Sequence, residues 1–169
     1  AAENIAKSVR ENVASFDMYS TGLCLIFLTN YDPNRYEKEI QTLIGSLQKK
    51  QKPHGGWGYP ERKTGDTSMT QYGVLGSWEA KQAGFSIPPA MIDKVATWLL
   101  KTQDPSGAWG YQGEPSSNFQ PIKQEEVRHS MAVAGLGSTY ICADFFGMTP
   151  AVKEAEDEGP SAALKEVKQ

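Results

Sequence analysis

The chain has little cysteine, no strong excess of either charge and no long apolar run. Its 169 residues include only two cysteines, too few for a disulfide framework. A formal net charge of −3 gives no electrostatic reason to bind nucleic acid or anionic membranes. No apolar stretch approaches the roughly 20 residues of a transmembrane helix. We therefore expect one globular domain with a buried core, no nucleic-acid partner and no transmembrane segment.

The alternating pattern of β-branched and aromatic residues that marks a sheet is also missing. Apolar residues instead recur at helical spacing. After a leading helix over residues 3–14, this spacing predicts helices over about 18–28, 36–51, 67–83, 89–103 and 124–146. Paired in order, these helices predict an all-α fold built from helical hairpins.

Two segments of the chain, residues 47–59 and 99–111, are copies of each other 52 residues apart. Gln, Pro, Gly and a final Trp-Gly-Tyr recur in register. A second signal, Met-x-x-x-Gly followed by an aliphatic residue, recurs three times and begins at Met18, Met69 and Met131. A period near fifty residues is typical of repeat proteins, in which each unit buries its apolar face against its neighbours.

The repeats divide the predicted domain, residues 1–157, into units. The leading helix is followed by unit one over 17–59, unit two over 66–111 and unit three over 123–157. Charged residues replace the apolar stripe in the last predicted helix. Residues 158–169 are expected to form a mobile tail or linker.

The repeated segment resembles a motif of a known superfamily. Residues 98–109 read Trp-Leu-Leu-Lys-Thr-Gln-Asp-Pro-Ser-Gly-Ala-Trp, which is similar to the QW motif of squalene–hopene cyclases, oxidosqualene cyclases and protein prenyltransferases, and residues 46–57 are a second copy. The chain also resembles bacterial prenyltransferase/squalene-oxidase-repeat proteins. The resemblance implies an α/α toroid of inner and outer helices, here as a partial array. Because the toroid of the superfamily has about six hairpins, this chain would form an open arc, belong to a longer chain or be completed by a second subunit.

The motif residues themselves are predicted to be structural. A Trp at a helix corner buries a large apolar area, and a Gln beside it can bond unpaired groups at the helix end. The predicted structural residues are Gln51, Gly55, Trp57, Gln103, Gly107 and Trp109.

Catalytic motifs of the superfamily are not found in this sequence. The cyclases carry an Asp-x-Asp-Asp acid motif, and the nearest feature is Asp66, which is better explained as a helix N-cap. The prenyltransferases bind zinc through an Asp-x-Cys pair, and neither Cys24 nor Cys142 has Asp two residues before it. The sequence therefore predicts no catalytic residue, no metal and no cofactor, and it leaves open whether a longer protein would be an enzyme.

The inner helices are predicted to present mixed polar groups from their first turns toward the ring axis. These candidate ligand-binding residues are Asp17, Tyr19, Asp66, Gln71, Arg128 and His129. Such a lining suits a polar or amphipathic ligand better than a bare hydrocarbon, although each residue also has an interpretation as a capping or paired rim group.

Three functions remain open at this stage. The preferred one is a non-catalytic module whose concave inner face binds a protein segment or an amphipathic or isoprenoid small molecule. The second is a segment of a terpene cyclase-like enzyme whose acid lies elsewhere, and the third is a structural subunit of an assembly. An Ala-Ala start fits both signal-peptide removal and excision from a longer chain, so periplasmic and cytoplasmic locations both stay open.

Overall fold

A computed structural model describes residues 1–149. The predicted outer helix of unit three and the predicted tail, 158–169, lie outside the described residues. Six α-helices account for most of the described chain: α1 (Ala2–Asn12), α2 (Met18–Tyr31), α3 (Glu37–Lys50), α4 (Thr67–Gln82), α5 (Pro89–Lys101) and α6 (His129–Phe145). A 3-10 turn, Val13–Ser15, follows α1. The prediction of a mainly helical chain is confirmed.

The helices form two layers. One layer contains α2, α4 and α6, with α4 in the middle. The other contains α1, α3 and α5, of which α3 packs on α2, α5 packs on α6 and α1 packs on α3. Helices α2 and α4 run in the same direction, since Tyr19 contacts Ser68 near their starts and Asn30 bonds Glu79 near their ends. None of the helices in residues 1–149 is long and apolar enough to span a membrane.

Small residues bring α2 and α4 close together. A Cβ atom on Gly22 would lie 2.8 Å from the Tyr72 carbonyl oxygen, and one on Gly76 would lie 3.3 Å from Leu25 Cδ2. Both helices begin with an aspartate cap, because the Asp17 carboxylate accepts from Ser20 N and the Asp66 carboxylate accepts from Met69 N. These caps satisfy backbone donors that have no partner inside the helix. The first turns of α2 and α4 lie side by side, since Tyr19 bonds Ser68 between them.

The two copies of the repeated segment form corners with the same hydrogen bonds. Trp57 Nε1 donates to the carbonyl of Leu47 at 2.9 Å, and Trp109 Nε1 donates to that of Leu99 at 2.9 Å. Both indole rings are buried. The side-chain amides of the two glutamines, Gln51 and Gln103, donate to the carbonyls of Gly55 and Gly107.

The two corner glycines lie in backbone geometry that other residues rarely adopt. Gly55 has φ 104° and Gly107 has φ 85°. Positive φ favours glycine because a Cβ atom would clash with the backbone. In addition, a Cβ atom on Gly55 would lie 2.1 Å from the Lys94 carbonyl oxygen, so this corner packs directly on α5.

Two features differ from the sequence prediction. A two-stranded antiparallel sheet, β1 (Gly65–Asp66) with β2 (Gln112–Gly113), joins the segments that follow the two corners. Such short strands leave no alternating pattern to detect. Helix α6 begins at His129 rather than near Gln124, because Gln124 is held in the preceding loop by Asp104 and Glu114. Glu126 in this loop has φ 51°, which is not helical.

Candidate functional site

The starts of α2 and α4 are joined by a cluster of polar side chains. The Tyr19 hydroxyl donates to Ser68 Oγ at 3.1 Å. One Asp66 oxygen accepts from Met69 N at 2.9 Å, and the other accepts from Gln112 Nε2 at 2.9 Å. Asp66 therefore links α4 to the short sheet, and its side chain is fully buried.

Burial raises the pKa of the two titratable side chains in this cluster, Tyr19 and Asp66. Burial raises the pKa of Tyr19 to about 12, and the Tyr111 hydroxyl beside it adds to the increase. Tyr19 therefore stays protonated at neutral pH and acts as a hydrogen-bond donor. Burial also raises the pKa of Asp66, while the donors from Met69, Gln112 and Ser68 oppose the increase. Both oxygens of Asp66 accept hydrogen bonds, so its position is that of a helix cap.

The structure brings together only part of the predicted binding residues. Tyr19 and Asp66 belong to the polar cluster. Arg128 lies at the edge of the cluster, where its guanidinium is 5.8 Å from the ring centre of Tyr111. Arg128 also pairs with Glu126 at 3.2 Å.

The other three predicted residues are not among the hydrogen-bond partners that the described residues show for Tyr19 and Asp66. Asp17 is exposed and caps α2, where it bonds Ser20 N at 2.6 Å. Gln71 is half-buried on α4, and His129 is exposed as the first residue of α6. Asp17 and Tyr19 do line one cavity together. That all six residues share one binding face stays a prediction.

A surface with several exposed apolar side chains lies on the side of α2, α4 and α6 that faces away from the core. Val133 of α6 is 70% exposed, Leu136 is 65% exposed and Tyr140 is 56% exposed. Their spacing places them on one side of the helix. We call this surface the open face and define it by these three residues together with Leu23, Phe27, Tyr31, Leu75 and Trp78.

An aromatic residue occupies the same repeat position in all three helices of the open face. Phe27, Trp78 and Tyr140 each lie nine residues after the Met of the Met-x-x-x-Gly pattern. Phe27 also stacks on Tyr31, with ring centres 5.5 Å apart. Because α4 packs between α2 and α6, the equal register places the three side chains in a row. Isolated exposed apolar residues are common, but contiguous apolar surface marks interaction sites.

These residues were not among those predicted from the sequence, although the sequence carries a signal for them. The predicted residues were the polar groups in the first turns of the helices that the Met and Gly of the repeat align. Extending the alignment past its aliphatic position by about one helical turn reveals the recurring aromatic position. What sequence could not show is that α6 leaves its apolar side exposed, because that depends on which helices pack against it.

Nucleophilic or metal-based chemistry finds little support in the described part of the chain. Residues 1–149 contain no group of three or more His, Cys, Asp or Glu side chains placed to hold a metal ion. Cys24 and Cys142 are free, and burial raises the pKa of both thiols, that of Cys142 to about 12. A buried neutral thiol is a poor nucleophile. Both cysteines are best explained as small packing residues.

Comparison with protein-family models found no match, and comparisons with curated proteins and with solved structures found none either.

Proposed function

We propose that the chain is a non-catalytic repeat module, of the squalene-cyclase and prenyltransferase type, whose open face binds an apolar segment of a partner protein. The observation that carries this proposal is the row of Phe27, Trp78 and Tyr140 beside the exposed Val133 and Leu136. Large aromatic side chains dominate the energy of many protein interfaces. Three helices carry an aromatic residue at this position, exposed at Tyr140 and half-buried at Phe27 and Trp78, and together they offer such a surface.

The openness of this face favours a protein segment over a small molecule. Small-molecule sites bury most of the ligand in a concave pocket. The α6 residues of the open face are more than half exposed, so a small ligand there would keep much of its surface in water. A long apolar segment could instead contact three helices at once, since packed helices lie about 8–10 Å apart. An amphipathic or isoprenoid small molecule is the alternative ligand.

The toroid belongs to this proposal as well. Its support is the two-layer arrangement, with α2, α4 and α6 in one layer, and the equal hydrogen bonds at Trp57 and Trp109. On this proposal the described helices form an arc, and a longer chain or a second subunit completes the ring. A catalytic role as part of a cyclase-like enzyme would need an acid elsewhere, because Asp66 is engaged as a helix cap.

Site-specific photo-cross-linking tests the proposal. A benzoylphenylalanine at position 140 should give one dominant protein adduct in an extract of the source cells. The same residue at position 100, on the exposed side of α5, is the matched control, since Leu100 is 47% exposed. The substitution Val133→Ser, two helical turns from position 140, should weaken the adduct, whereas Leu100→Ser should not.

Three results would count against this proposal. Equal adducts from positions 100 and 140 would show that the open face has no preference. An adduct that Val133→Ser leaves unchanged would show that the apolar side chains of α6 do not contribute. A lipid retained through purification and released by Trp78→Ser, without a protein adduct, would favour the small-molecule alternative.

A further inference from the structure

A cavity separate from the open face lies at the Trp57 corner of the chain. It is a cavity of about 650 Å³ between the start of α2 and the end of α3, within the size range of small-molecule sites. Its apolar wall includes Phe16, Met18, Tyr59 and Met69. Met18 and Met69 are almost fully buried, and methionine side chains adapt to ligands of varied shape.

The polar wall of this cavity is rich in positive charge. Three lysines line it, Lys49, Lys50 and Lys52, whereas Asp17 and no other carboxylate is among the lining residues. The Asp17 carboxylate is engaged by Ser20 N at the start of α2. The lining thus carries two more positive than negative charges at neutral pH.

The ammonium groups of two of these lysines have only uncharged direct partners. Lys50 Nζ donates to the Phe16 carbonyl at 2.6 Å, to Thr21 Oγ1 at 3.2 Å and to the Val13 carbonyl at 3.4 Å. These contacts use the three donors of the ammonium group and fix its position without neutralising its charge.

Lys52 is held in the same way on the other side of the corner. Its Nζ donates to the carbonyls of Tyr59 and Thr64 at 2.8 Å each and also to that of Arg62. Burial lowers the pKa of both Lys50 and Lys52, although Asp17 acts in the opposite direction on Lys50, and Glu61 and Asp66 do so on Lys52. The cost of desolvation therefore exceeds the local compensation by carboxylates.

From this geometry we infer that the cavity binds a small amphipathic anion, such as a carboxylate with an apolar chain. Its apolar part would lie against Met18, Met69 and Phe16. Its charged group would lie in the field of Lys50 and Lys52 and pair with Lys49, which is exposed at the cavity wall. An anion would supply the charge that the direct partners of Lys50 and Lys52 lack.

Methyl NMR with octanoate as the probe tests this inference. The chain has five methionines, and the methyl signals of Met18 and Met69 should shift saturably with a dissociation constant on the order of 1 mM. Met131, buried on α6, and the exposed Met148 are internal controls whose signals should stay in place. At equal concentration 1-octanol should shift Met18 and Met69 much less, because it carries no charge.

The charge requirement can be tested on the protein side as well. Lys49→Gln should weaken octanoate binding roughly two- to fivefold, the range expected for one solvent-exposed charge pair. Lys38→Gln is the matched control, because Lys38 is an exposed lysine at the other end of α3. It should leave the dissociation constant unchanged.

Several outcomes would overturn the inference. One is an equal shift of Met131 and Met148, which would indicate nonspecific binding. Another is binding of 1-octanol as tight as that of octanoate. A third is an equal affinity of Lys49→Gln and Lys38→Gln for octanoate. Either result would show that charge plays no part in binding. Saturable binding that keeps Met18 and Met69 unshifted would place the ligand elsewhere. None of these outcomes bears on the open face, so the two proposals can fail separately.

Discussion

Gly135 of α6 lies directly against the indole of Trp109. A Cβ atom at Gly135 would lie 2.2 Å from Trp109 Cδ2, far inside van der Waals contact. In the preceding unit Gly73 meets Trp57 in the same way, at 2.9 Å from Trp57 Cε3. Each corner tryptophan therefore packs on the glycine of the following Met-x-x-x-Gly pattern, which explains why both signals recur in the sequence.

This contact predicts a large effect of one methyl group. Gly135→Ala should lower the free energy of unfolding by about 1–3 kcal/mol, because the added Cβ must displace the buried Trp109 ring. Gly137→Ala is the control on the same helix, since a Cβ there meets nothing within 4 Å. It should raise stability by about 0.5–1 kcal/mol through helix propensity. Urea denaturation of both variants measures the difference, and equal effects would contradict the packing.

The two corner glutamines are predicted to contribute unequally. Gln51 Nε2 donates to the carbonyls of Gly55 and Met91 at 2.8 Å each, so it ties its corner to α5. For Gln103 the structure shows one such bond in the described residues, to Gly107 at 3.0 Å. Gln51→Ala should therefore cost about 1 kcal/mol more than Gln103→Ala in chemical denaturation. Equal costs would show that the Met91 bond contributes nothing.

The two aspartate caps should also differ. Asp66 is buried and bonds both Met69 N and Gln112 Nε2, whereas Asp17 is exposed and bonds Ser20 N. Asp66→Ala should cost about 2–3 kcal/mol of unfolding free energy, because it leaves buried donors without partners. Asp17→Ala should cost only about 0.5–1 kcal/mol. A cost for Asp66→Ala no greater than that for Asp17→Ala would mean that the link to the sheet is dispensable.

The surroundings of His54 predict that the free energy of unfolding decreases in mild acid. Its Nδ1 accepts from Gly56 N at 3.1 Å, and its ring stacks on Trp98. Burial, and next the charge of Lys52, lower its pKa below the usual 6.5. As pH falls below about 6.5, the unfolded chain takes up a proton that folded His54 resists, so the free energy of unfolding declines until the pH passes the folded pKa.

Urea titrations between pH 5 and 8 check this prediction. His54→Asn should flatten the decline, because the Asn side chain is uncharged and can accept from the same turn. His129→Asn is the control, because the chain has two histidines and His129 is exposed. If the decline persisted in His54→Asn and disappeared in His129→Asn, the effect would belong to His129 and the prediction would be wrong.

Sequence reasoning predicted the helices well because their signals are local. The apolar spacing that predicts helices over 67–83 and 89–103 matches α4 and α5 within two residues at each end. It misplaced only the start of α6, predicted near residue 124 and found at His129. The bonds of Gln124 to Asp104 and Glu114 hold that segment as a loop. The grouping of Gln71 and His129 with Tyr19 on one inner face stays a prediction, since spacing alone does not give the direction of a side chain.

The amino-acid order was sufficient to establish the helical character of the chain, because apolar spacing within a few turns specifies a helix. It also showed the internal repeat and the recurrence of Trp beside Gln and Gly, because these are patterns of the sequence itself. The exposed side of α6, the cavity beside Met18 and Met69, and the pairing of Trp109 with Gly135 depend on which distant segments pack together. Burial and charge compensation arise from that packing. For this reason the open face and the lysine-lined cavity became visible only with the helices in place.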